Sequence, residues 1–158
     1  MSPAAVRRAR AADLAAAAAL WRRLQAEHEA RDARFRLDED AALRWHGDFR
    51  TALRSELHRV WVAEAPSGGL VGLLSAQLAE PAPVYAPSLF VFVSDLIVAE
   101  AWRGRGLGSA LLDRARAWGV AEGAADLRAG VLADGDGRGF WARQGARDYS
   151  VVVTMPLS

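Results

Sequence analysis

The stretch Arg103-Gly104-Arg105-Gly106-Leu107-Gly108 sets three glycines and two arginines between two different kinds of run. Before it lies an apolar, strand-like segment, Leu89 to Val98. After it comes a helix-forming segment, Ser109 to Trp118. A glycine-rich turn from strand to helix gathers free backbone N–H groups at the positive end of a helix, which is a seat for a phosphate or pyrophosphate. Glycines let the backbone approach the anion, because no Cβ intervenes. The arginines add fixed positive charge. A dinucleotide fingerprint fails here, since the third glycine would fall at position 109, which is Ser109. A nucleotide P-loop fails as well, because the chain has no lysine.

Other residues able to do chemistry are fewer. Asp95 stands inside the apolar strand, where a charge needs a neighbour. It reads either as a general base or as a carboxylate satisfied by a structural partner, with the structural role slightly favoured. Asp134-Gly135-Asp136-Gly137 hints at calcium, but Arg138 and Gly145 stand where the loop rule needs acids. His28, His46 and His58 fall at irregular spacing and read as solvated, so no metal is expected. Acids and arginines interleave from Glu27 to Asp40, which reads as a solvated face. Cysteine is absent, which removes disulfides, thiolate nucleophiles and cysteine metal sites.

The elements that must position these residues follow from the pattern. The 158 residues suit one domain spanning 1–158, and 52% hydrophobic with 25% charged is ordinary for a globular protein. All twenty basic residues are arginine, which excludes a lysine Schiff base. A net charge of +1 gives no bulk pull toward nucleic acid or anionic lipid. No apolar run reaches membrane-spanning length, and Asp13 ahead of the apolar stretch argues against a signal peptide. The chain reads as cytoplasmic, with a homodimer left open.

Residues 4–10 form a short first strand. Asp13 caps a helix to about Ala30, with Leu14, Ala17, Trp21 and Leu24 on one stripe. Asp38 caps a second helix carrying Ala42, Trp45, Phe49, Leu53 and Leu57. A hairpin pairs 60–65 with 70–78 across Pro66-Ser67-Gly68-Gly69. Residues 80–88 are a loop. The 89–98 strand, the glycine turn and a helix to about Gly123 follow. Strand 126–133, a helix to about Gln144 with Gly145 as its cap, and a last strand 149–155 complete the chain. Trp21, Trp45, Trp61, Trp102 and Trp118 read as core or core-edge residues.

In this order the elements resemble those of the GNAT-superfamily N-acetyltransferases. The loop from Arg103 to Gly108 matches that family's phosphate loop at every defined position. Asp95-Leu96-Ile97-Val98 with Trp102-Arg103-Gly104 resembles its fourth strand and the approach to the loop. The opening, 9–14, and Phe140-Trp141 with Gln144-Gly145 are similar to its two ends. The resemblance implies an α/β GNAT fold: a mostly antiparallel, twisted central sheet of about six or seven strands flanked by about four helices.

It also implies acetyl-CoA as donor and an unidentified amine of a small molecule or peptide as acceptor. The pyrophosphate would lie on the N–H groups of Arg103, Gly104, Arg105, Gly106, Leu107 and Gly108, with Ser109 nearby. The pantetheine arm would run past Leu96, Ile97 and Val98, between the strands ending at Val98 and Ala133. Asp134, Phe140, Trp141 and Arg143 would complete the cofactor contacts, and Val98 N–H would be the oxyanion donor. The amine would attack the thioester directly, so no enzyme nucleophile is required. In the family the run 27–40 would border the acceptor cleft. Two departures bear on the chemistry. Trp141 replaces a tyrosine that protonates the departing thiolate in many members, and indole N–H is no usable acid. Neither Tyr149 nor Tyr85 is placed by the sequence to substitute. Ser94 stands where polyamine-acetylating relatives have an acid. Asp95, Val98 and Trp141 are the expected catalytic positions, and the rival expectation is a non-catalytic acyl-CoA-binding module on the same fold.

Overall fold

The computed structural model describes residues 3–157. Its strands are β1 (Ala5–Arg8), β2 (His58–Glu64), β3 (Leu70–Ala79), β4 (Phe90–Val98) and β5 (Asp126–Ala129). Its helices are α1 (Leu14–Arg31), α2 (Ala41–Arg54), α3 (Leu107–Ala121) and α4 (Gly137–Arg143). The sheet runs β1-β2-β3-β4-β5. Its first three pairings are antiparallel and the last is parallel. Four helices meet the expectation; six or seven strands do not, because five form among the described residues.

One expected strand is shortened and another is missing, and the missing one accounts for the shortfall. The strand expected over 126–133 stops at Ala129. The one expected over 149–155 does not form. Its β-branched run Val151-Val152-Val153 has the right composition, yet Val152 is 96% exposed. A strand takes its stability from cross-strand partners, and this segment has none to pair with.

Each face of the sheet carries its own core. On one side Trp61, Leu74, Val91 and Val93 pack beneath Leu111, Leu112, Ala115 and Trp118 of α3, with Phe140 and Trp141 of α4 at the margin. On the other, Val60, Val62, Leu73 and Ile97 pack beneath Ala17, Leu20 and Trp21 of α1 and Phe49 and Ala52 of α2. Trp21 stacks on Trp45 at 5.3 Å. The tryptophans are therefore core or core-edge, as the sequence reads. The α2 stripe ends before Leu57, which lies beyond the helix and is exposed.

Neither expected cap is made by a side chain. Asp13 is buried and accepts from the Arg7 guanidinium at 2.8 and 2.9 Å and from the Arg10 N–H at 2.7 Å. It thus ties the start of α1 to β1, and those bonds hold its carboxyl below the usual range. Asp38 lies a turn ahead of α2 and receives the Glu39 N–H and Arg44 instead.

Candidate active site

The functional geometry begins with one extra residue in β4. Asp95 faces Ser75 and Val93 faces Ala76, so Ser94 is a bulge. A bulge bends its strand and interrupts pairing. The parallel ladder to β5 accordingly covers only Phe90–Val93. Past it β4 and the segment after β5 diverge, and a cavity of about 560 Å³ opens at the gap. It is lined by Leu96, Ile97 and Val98, by Gly130, Val131 and Leu132 opposite, by the glycine turn, and by Phe140, Trp141 and Arg143 of α4. Leu24, Glu27, His28 and Arg31 of α1 close one side.

The bulge also decides which way groups point. The Ala99 N–H donates to the Val71 carbonyl at 2.8 Å. N–H directions alternate along a strand, so the Val98 N–H points away from β3, into the gap. The Val98 carbonyl points the same way and accepts from Arg103 Nε at 2.9 Å. Val93 packs on the α3 face while Ile97 packs on the α1–α2 face. Asp95, two residues before Ile97, shares its face. It is half-buried and not among the cavity-lining residues. Burial pushes its carboxyl up to about 6, against a weak hydrogen bond from Ser94 Oγ at 3.5 Å. Asp95 therefore stands beside the cavity, between the lining residues Ser94 and Leu96, and outside the lining itself.

At the turn, Gly104 and Gly106 have φ of +72° and +77°, a region that disfavours side chains. Gly106 precedes α3, and its carbonyl receives the Ala110 N–H at 3.0 Å. The N–H groups of Leu107, Gly108 and Ser109 have no partner within the helix, and all three residues line the cavity. A Cβ at Gly108 would lie 3.0 Å from the Phe140 ring, so a side chain there needs the ring to shift. Ser109 Oγ accepts from Gln144 Nε2 at 2.7 Å, which joins α3 to the end of α4.

Several expected contacts are placed differently. The Arg103 N–H is taken by the Glu100 carbonyl, so the run of free donors starts after it. The Arg103 guanidinium is a strut to Glu27 and to Val98 rather than a charge aimed at an anion. Arg105 lies over the Trp102 ring, beside a smaller cleft with Pro3 and Ala4. Asp134 is exposed and outside the lining; its carbonyl accepts from Arg31, whose guanidinium also pairs with Asp136 at 3.1 Å. Tyr85 and Tyr149 are exposed and outside the cavity, and Tyr149 stacks on Arg128.

The histidines are partly buried rather than fully solvated. His58 bridges Ser55 at 3.0 Å and Gln77 at 2.8 Å. His46 has its Nε2 buried without a partner, and His28 lines the cavity. The sequence carried a signal for His28: it continues the Trp21, Leu24 spacing along the buried stripe of α1. Among the described residues no three His, Asp or Glu side chains converge as a metal site.

Residues 15–146 match the family model of the Acetyltransferase (GNAT) family. No curated protein matches the chain. Among solved structures, a tetramutant of the BH1408 protein from Bacillus halodurans superposes with a TM-score of 0.88 at 20% identity, over 97% of this chain and 99% of that one. AAC(6')-Iy in complex with the bisubstrate analog CoA-S-monomethyl-acetylneamine gives 0.78 at 18% identity, over 99% of both chains. Glucosamine-6-phosphate N-acetyltransferase from Arabidopsis thaliana gives 0.72 at 13%, over 99% and 100%.

Proposed function

The chain belongs to the Acetyltransferase (GNAT) family, and on that premise we propose that it moves an acetyl group from acetyl-CoA to a primary amine of a small molecule or peptide. One observation carries the reading. The Val98 N–H and the unpaired N–H groups of Leu107, Gly108 and Ser109 open on the same cavity, one at the bent strand and the others at the helix start. The first suits a developing oxyanion and the others suit a pyrophosphate. The acceptors in the names of similar proteins, an aminoglycoside for AAC(6')-Iy and glucosamine 6-phosphate for the Arabidopsis thaliana enzyme, both carry amines.

In this reading the turn and Arg143 would hold the phosphate end, and Leu96 to Val98 would hold the pantetheine arm. When bound, the cofactor supplies an activated acyl carbon. The Val98 N–H then donates to the oxygen that gains charge as the amine attacks. Such preorganised donors are worth about 3 kcal/mol each. Trp141 walls the cavity and supplies no proton. A thiol pKa near ~8.5 makes the thiolate a leaving group without full protonation.

Purified protein with acetyl-CoA and pooled primary amines should release free thiol, and acetyl-CoA should raise the melting temperature by mass action. The absence of both effects at millimolar acetyl-CoA overturns the proposal. A thermal shift without thiol release selects the binding module instead, the reading that the lack of tyrosine in the cavity favours.

A further inference from the structure

We propose that His28 is the base that takes the acceptor's proton, a role that rests on the acetyl-transfer reading above. The geometry reaches it by elimination. The titratable and charged groups lining the cavity are Glu27, His28 and Arg31 on α1, Arg103 on the turn, Asp136 ahead of α4 and Arg143 on α4. Glu27 is held by Arg103, and Asp136 by Arg31. The arginines cannot act as bases in the working pH range. His28 is the one imidazole among these, and among the described residues no ion pair holds its ring.

Its surroundings suit the task. The ring is half-buried and lies 5.7 Å from the Phe35 ring. Burial lowers its pKa below the ordinary imidazole value; Glu27 opposes that shift and Arg31 adds to it. The shift favours the neutral imidazole, which has a lone pair to offer. Because both lining carboxylates are already paired, the acceptor's ammonium meets a neutral base rather than a fixed counter-ion.

The step balances. The imidazole takes one proton from the ammonium. The freed lone pair forms the N–C bond, and the C–S pair leaves on sulfur. The amine's next proton goes to the thiolate, and the imidazolium returns its own to solvent.

The test compares His28→Gln and His28→Asn with the parent, both of which keep a polar head in a half-buried site. Amine kcat/KM is followed from pH 5.5 to 9.5, with acetyl-CoA affinity and melting curves alongside. The expected result is a loss of about a hundredfold near pH 6.5 that narrows toward high pH, with cofactor affinity within twofold. Added imidazole should rescue His28→Ala. A parent-like profile in both variants overturns the proposal, as does a loss that is equal at every pH or is matched by lost cofactor affinity. A parent that binds acetyl-CoA but acetylates no amine overturns the functional reading itself, and this proposal with it.

Discussion

The Arg103 guanidinium joins two parts of the cavity that the sequence keeps far apart: one nitrogen pairs with Glu27 on α1 at 2.5 Å, and Nε donates to the Val98 carbonyl at 2.9 Å. Val98 is the residue whose N–H faces the gap. A single side chain therefore fixes both the bent end of β4 and the helix that closes the acceptor side. Arg103→Ala should lower turnover several-fold and raise the amine KM. Stability should change by about 0–1 kcal/mol, because the ion pair is exposed. Steady-state kinetics beside a denaturant titration check this. A loss of fold comparable to a core mutation would contradict it.

Asp95→Asn should stabilise the protein above pH 6 and leave it unchanged near pH 4. The folded carboxyl is raised to about 6 from 3.8 by burial. A raised acid favours the native state fully below its unfolded value, and that contribution is lost as pH rises through the folded one. At pH 8 the relief is on the order of 2–3 kcal/mol. Urea unfolding at pH 4 and pH 8 reads it directly. Turnover should keep the parent's pH profile, since Asp95 does not line the cavity; a flattened profile would return the residue to the chemistry.

Gly106→Glu should abolish cofactor binding while the protein still folds. A Cβ at Gly106 meets nothing within 4 Å, so the cost is conformational, about 1–2 kcal/mol for a side chain at φ +77°. The carboxylate then occupies the start of α3, where an anion should lie. Calorimetry with CoA measures it; retained affinity would move the phosphate seat elsewhere. Gly108→Ala is no mild control, given its Phe140 neighbour at 3.0 Å.

Trp141→Phe should cost little turnover beyond packing, because indole transfers no proton. Trp141→Tyr should keep activity or raise it, most with weakly nucleophilic amines, where thiolate departure limits the rate. Trp141→Ala should raise the apparent acetyl-CoA constant, since the ring walls the cavity. Kinetics of the three variants, with melting curves, decide. Abolished turnover in Trp141→Phe at unchanged affinity would make the indole N–H essential.

Much of this arrangement was legible in the residues. Helical stripes in α1 and α2, the hairpin signal at Pro66 to Gly69, and the glycine turn between apolar strand and helix are local patterns, set by neighbours a few positions away. They determined the order of elements, the tryptophan cores and the glycine turn at the start of α3. What the sequence could not settle depends on partners distant in the chain. Val151 to Val153 has strand composition, but only a neighbouring edge can make it a strand, and none reaches it. One bulged residue, Ser94, reverses the faces of β4; it puts Asp95 on the face of Ile97, and the Val98 N–H points into the gap beside β5. Alternation alone cannot reveal that, because a bulge leaves composition unchanged and shifts only the register. Likewise, the acids and arginines of 27–40 look solvated until Arg103 and Asp136 pair with Glu27 and Arg31 across 76 and 105 residues. Those pairings, made only in the folded chain, leave His28 as the cavity's free base.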